Sequence, residues 1–126
     1  MNEIIENLYL GDQNDSTRFY FPFEPIHTII DLSGWDAEKD LEKGRFWVVQ
    51  NAIQLIATSL LDDHPTLVCC HAGIDRSPFV VACYLYEMDG MEQFEAYNYV
   101  REKRSQVIIH DDWMRSYSEF KEKCEE

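Results

Sequence analysis

Leu67-Val68-Cys69-Cys70-His71-Ala72-Gly73-Ile74-Asp75-Arg76-Ser77-Pro78 is the stretch on which the reading of this chain turns. Thr66-Leu67-Val68-Cys69 is a short apolar run of the kind that forms a central strand and feeds directly into a loop at Cys70. Ser77 can cap a following helix and Pro78 suits its first turn. Between them Gly73 supplies the backbone freedom that a tight anion-binding nest needs. Cys70 and Arg76 stand six positions apart at its two ends. That spacing is weak alone, since a chain with four cysteines shows it by composition in roughly one case in five. Strand, loop and helix in the required order give it weight.

The chemistry follows from the placement. A helix N-terminus attracts anions and lowers the pKa of a nearby thiol, so Cys70 is expected to be largely thiolate and a nucleophile. The backbone amides of His71, Ala72, Gly73, Ile74, Asp75 and Arg76 can encircle a phosphate. The planar fork of Arg76 can hold two of its oxygens, a task that Lys performs less well. Ser77 can donate its hydroxyl proton to the thiolate when it leaves.

Outward from the loop, the sequence predicts an α/β domain with a central, mostly parallel sheet flanked by helices. Upstream, residues 4–11 read as a short extended element with a turn. Residues 26–32, closed by Ser33-Gly34, read as a buried strand. From Phe46 to Leu61, Val48, Val49, Ala52, Ile53, Leu55, Ile56 and Leu60 recur at helical spacing, and Asp62-Asp63-His64-Pro65 ends the run. Downstream, helices are expected at 77–88, 91–103 and 111–123, with a short non-helical link at 105–110.

The 126 residues, 45% of them hydrophobic, are enough for one packed core, and a single domain over 1–126 is expected. A formal net charge of −13 disfavours nucleic acid and anionic membranes as partners, because both call for basic patches. No apolar run approaches the ~20 residues of a membrane span. The first residues carry no basic, apolar signal-like pattern, so a cytoplasmic location with reduced thiols is the expectation.

The segment from Leu67 to Pro78 resembles the active-site loop of protein tyrosine phosphatases, specifically the dual-specificity branch. Asn7-Leu8-Tyr9-Leu10-Gly11 is similar to that branch's opening strand. Glu95-Ala96 through Val100-Arg101-Glu102-Lys103-Arg104 resembles the helix after its active-site helix. The resemblance implies a compact phosphatase fold, Cys70 as nucleophile, phosphate capture by the 71–76 amides and Arg76, and no metal or other cofactor. It also implies a phosphorylated protein or peptide substrate, with the protein acting as a monomer. Three places depart from the family pattern. Cys69 stands where the family has a His, Asp75 where it has a small or hydroxyl residue, and the stretch between Gly34 and Phe46 is too short for a further strand. A carboxylate at 75 makes polyphosphorylated lipids less attractive.

Phosphoryl transfer also needs a proton for the leaving oxygen. Asp36, in a loop after Ser33-Gly34-Trp35, is the first candidate and Asp40 the second, while Asp31 belongs to the presumed strand and reads as structural. His71 reads as a surface side chain of a loop that works through its backbone. Zinc is disfavoured, because adjacent Cys69, Cys70 and His71 cannot readily share one ion and no second pair stands at ligand spacing. Cys83 reads as core. Phe19-Tyr20-Phe21-Pro22-Phe23 beside Arg18 is expected in the core, and His110 and Trp113 are candidates for the pocket rim. Two other readings stay open: a phosphoprotein-binding module with little turnover, and arsenate reduction or sulfur transfer on the same Cys-headed loop.

Overall fold

The computed structural model describes residues 1–17 and 26–124. The aromatic run 19–23 therefore lies outside the described residues. Four strands form one sheet: β1 (Asn2–Ile5), β2 (Leu8–Asp12), β3 (Thr28–Asp31) and β4 (Thr66–Cys70), in the order β1-β2-β4-β3. The β1–β2 pair is antiparallel, and β4 runs parallel to both of its neighbours. The sheet is thus mostly parallel and lies among helices, as the sequence predicts.

The helices among the described residues are α1 (Ala37–Glu42), α2 (Trp47–Leu61), α3 (Arg76–Met88), α4 (Gln93–Lys103) and α5 (Asp111–Cys124), with a 3-10 turn at Asp15–Thr17. All five residues of β4 are buried, as are Ser77 to Leu85 in α3. Strand and helix together form the axis of the fold, because a strand covered on both faces reads as a continuous apolar run. α3 packs against α2, α4 and α5. Its Phe79 meets Tyr97 of α4 and Trp113 of α5. None of the helices among the described residues is long and apolar enough to cross a membrane.

Several expectations are refined. The extended element at 4–11 resolves into a hairpin, because Asn7 takes a left-handed φ of 67° that asparagine tolerates in a turn. β3 is only half buried: Ile30 points inward while Ile29 is exposed, since β3 is the sheet edge and no strand pairs beyond it among the described residues. Within α2, Val49, Ala52, Ile53 and Ile56 face the core, but Leu55 is exposed. It sits between Gln54 and Ile56 on the flank of the apolar stripe. The shortened stretch after Gly34 holds no strand. It holds α1, whose Asp36 cap accepts a hydrogen bond from the Lys39 amide at 3.1 Å and whose Ala37 and Leu41 are buried.

Candidate active site

The loop from Cys70 to Arg76 joins the end of β4 to the start of α3. Its shape is fixed from outside, carbonyl by carbonyl. The His71 carbonyl accepts from Gln13 N at 3.2 Å and the Ile74 carbonyl from Ile108 N at 2.9 Å. Buried Arg104 takes the two between, donating from Nε to Gly73 O at 2.9 Å and from Nη2 to Ala72 O at 3.3 Å. Its Nη1 continues to Asn2 Oδ1 at 2.8 Å. Four successive carbonyls are thus engaged by groups around the loop, which fixes the path along which the intervening amides run.

Gly73 is required by this packing. Its φ is +71°, and a Cβ there would stand 2.6 Å from the Gly11 carbonyl oxygen and 2.8 Å from Arg104 Nη2. Gly73→Ala is expected to destabilise the protein by about 2 kcal/mol or more, because strain and clash add. Thermal unfolding checks this, and an unchanged melting temperature would contradict it.

Cys70 is nearly fully buried, 1% exposed. Burial pushes its thiol pKa up, but hydrogen bonds to the sulfur from the Ser77 hydroxyl and from the amides of Ser77, Asp75 and Gly73 outweigh burial, and the net shift is downward from 9.0. The Ser77 Oγ lies 3.1 Å and its N 3.4 Å from Sγ. Ser77 is not the helix cap that its position suggested. α3 begins one residue earlier with Asp75 as its cap residue, which leaves Ser77 in the first turn, buried, with its hydroxyl on the sulfur. The neighbouring thiols differ. Burial, then Asp31, pushes Cys69 up to about 12, and burial raises Cys83 well above its usual value.

Arg76 donates through Nη1 to three carbonyls of the segment after β3: Leu32 at 3.2 Å, Ser33 at 2.5 Å and Trp35 at 3.2 Å. That segment carries Asp36. A groove of about 420 Å³ opens here, lined by Trp35, Asp36, Ala37, Glu38, Asp75, Arg76, His110 and Trp113. Asp36 is therefore on the groove with Arg76. Asp40 is not among the lining residues. Its Oδ2 accepts from Trp35 Nε1 at 3.0 Å and its Oδ1 lies 3.9 Å from Arg45. Asp31 is exposed and closes a turn, accepting from Ser33 N at 2.9 Å and from its hydroxyl at 2.5 Å. His71 is exposed with Nδ1 3.3 Å from Gln13 Oε1. His110 and Trp113 both border the groove, and His110 Nε2 meets Asp75 Oδ1 at 2.7 Å.

The arrangement places a buried thiol of lowered pKa at the head of the loop, Arg76 at its other end, and beside Arg76 a groove that carries Asp36. Such a set can bind an oxyanion and attack it. Sequence reading missed the Arg104 anchor. Its signal was faint, a basic residue ending α4 with nothing to mark its partner 31 positions earlier.

Comparison with known proteins accords with the geometry. The chain is 28% identical over 127 residues, covering 94% of itself and 89% of the relative, to "Putative tyrosine phosphatase 123R" of invertebrate iridescent virus 6. It is 36% identical over 69 residues to phosphatidylglycerophosphate phosphatase PTPMT2 of Arabidopsis thaliana, covering 55% of this chain and 30% of that one. The fold matches the crystal structure of human tyrosine phosphatase-like serine/threonine/tyrosine-interacting protein with a TM-score of 0.77 at 21% identity, over 100% of this chain and 98% of that one. Residues 26–123 match the family described as dual specificity phosphatase, catalytic domain, and the chain accordingly belongs to the dual-specificity phosphatases.

Proposed function

We propose that this protein hydrolyses phosphotyrosine in proteins, with phosphoserine and phosphothreonine as further substrates, through a phosphocysteine at Cys70. The observation that carries this reading is the Cys70 sulfur at the head of the loop, 3.1 Å from Ser77 Oγ and 3.4 Å from Ser77 N, with a pKa lowered despite burial. In the first step Sγ attacks phosphorus, the bond from phosphorus to the ester oxygen breaks, and Asp36 gives that oxygen its proton. The loop amides of His71 to Arg76 and the Nε and Nη2 donors of Arg76 hold the equatorial oxygens. In the second step Asp36 takes a proton from water, water oxygen attacks phosphorus, and the thiolate leaves onto the Ser77 hydroxyl and the Gly73, Asp75 and Ser77 amides. No metal is required, and residues 1–126 are read as one catalytic domain acting as a monomer.

The substrate class rests on charge. Asp36 and Glu38 line the groove beside Arg76, so like-charge repulsion weighs more against a polyanionic lipid headgroup than against one phosphate on a peptide. Trp35 and Trp113 on the same groove suit an aromatic phosphoester. Asp36 is preferred to Asp40 as the acid because only Asp36 lines that groove.

Asp36→Asn tests the assignment. It should slow hydrolysis of esters with poor leaving groups by about 10²-fold while sparing good ones, because only poor leaving groups need the proton. An unchanged rate on both would reject Asp36. Phosphopeptide binding without turnover by the wild-type protein would instead support the binding-module reading.

A further inference from the structure

Asp75 is out of place in an anion loop. It is the cap residue of α3, yet its carboxylate makes no capping hydrogen bond. Its Oδ1 accepts from His110 Nε2 at 2.7 Å, across 35 positions of sequence. His110 is itself held at two other points. Its amide donates to the Tyr97 hydroxyl at 3.2 Å, and its ring lies flat on Trp113, with centroids 3.8 Å apart and planes 14° from parallel. Asp75, His110 and Trp113 all line the groove with Arg76.

A carboxylate one residue before Arg76, on the path of a dianionic phosphate, opposes its entry. An imidazolium on that carboxylate makes the pair neutral and the hydrogen bond charge-assisted. The remaining charged groups around the pair are Asp36 and Glu38 at the start of α1, Arg76 on α3 and Asp111 at the start of α5, next to His110 in the chain. The acidic ones cannot neutralise Asp75. Arg76 turns its Nη1 to the carbonyls of Leu32, Ser33 and Trp35, and its charge is the one the phosphate itself uses in the proposed reaction. His110 is the side chain in hydrogen-bond contact with the Asp75 carboxylate.

We propose that His110 is a specificity-determining residue that neutralises Asp75 and so lets this loop accept a dianionic phosphate. The proposal rests on the reading that phosphate is captured by the 71–76 loop. His110 then governs affinity for the phosphate rather than the rate of the chemical step.

The test combines steady-state hydrolysis of an aryl phosphate with competitive inhibition by inorganic phosphate, at about pH 6, on the acid side of the ordinary imidazole range. His110→Gln keeps a donor for Asp75 but removes the charge. It should raise KM and the phosphate inhibition constant about fivefold, the size of one partly screened charge contact, with kcat changed less than about twofold. Added salt should shrink that deficit. His110→Lys restores charge without the ring and should recover affinity. Adding Asp75→Asn to His110→Gln should return phosphate affinity to the wild-type value. Asp75→Asn alone, which leaves His110 in place, should bind phosphate no more weakly than wild type.

An unchanged inhibition constant in His110→Gln overturns the proposal, as does a deficit that persists when Asp75→Asn is added, or a fall confined to kcat. Phosphate binding measured in Cys70→Ser separates this from the wider reading. Turnover by Cys70→Ser would reject the cysteine mechanism, while the pattern of phosphate affinities would still judge His110.

Discussion

Cys70→Ser is expected to reduce kcat by at least ~10⁴-fold while leaving the inhibition constant for inorganic phosphate within about threefold of wild type. The Ser77 hydroxyl and the amides of Ser77, Asp75 and Gly73 act on the sulfur and bring its pKa down. A serine hydroxyl in the same place stays protonated, since its ordinary pKa lies far above any that three amides and a hydroxyl can offset. The oxyanion site survives because Arg104, Gln13 and Ile108 hold the carbonyls of residues 71–74 independently of the sulfur. The pH dependence has a defined sign. Because the Cys70 pKa is lowered, the thiolate exists above that depressed value and is lost as pH falls through it, so the acid limb of kcat/KM lies below the ordinary thiol value of 9.0. Ser77→Ala removes the largest of the lowering contacts and should move that limb upward. Cys69 cannot substitute, with its thiol pushed up to about 12 by burial, then Asp31.

Arg76→Lys is expected to cost about 10³-fold in kcat/KM, a loss comparable to removing an oxyanion-stabilising donor. Two functions fail together. Lysine has no planar fork for two phosphoryl oxygens. It also cannot reproduce an Nη1 that meets Leu32 O, Ser33 O and Trp35 O while other donors of the same group remain for a ligand. Those three carbonyls belong to the segment that carries Asp36, so Arg76 couples the loop to the proposed acid. Both KM and kcat should therefore worsen, and the penalty of Asp36→Asn should shrink when it is added to Arg76→Lys, because contacting networks are non-additive. A loss below about tenfold, or full additivity of the two variants, would contradict this coupling.

What the sequence disclosed divides along physical lines. β4, the 70–76 loop and α2 to α5 were legible because they carry local signals: an apolar run that ends in a loop, or a helical period closed by breakers such as Asp62-Asp63-His64-Pro65. α1 was not. Six residues with only Ala37 and Leu41 buried show no period, and its acidic residues read equally well as a solvated loop. The half-buried state of β3 depended on which strands pair with it, a matter of topology rather than of its own residues. In the candidate site, Cys70 and Arg76 stood out through the order of strand, loop and helix around them, whereas Ser77 read as a cap and lies in the first turn of α3 instead. Loop placement ranked Asp36 ahead of Asp40 as the candidate acid, but the contacts of Asp40 with Trp35 and Arg45 had no signal in the local sequence. The Arg104 anchor and the Asp75–His110 pair bridge 31 and 35 positions, and nothing in either local sequence announces its partner.

The central claim is that Cys70 attacks phosphorus, and it is tested most directly by acid-quenching the wild-type protein during turnover of a phosphopeptide carrying radiolabelled phosphate and mapping the label. The predicted result is an acid-trapped phosphate on the peptide containing Cys70, absent from Cys70→Ser and accumulating in a variant whose second step is slowed, such as Ser77→Ala. Label on His71, or steady turnover with no labelled Cys70 peptide at any time point, would contradict it.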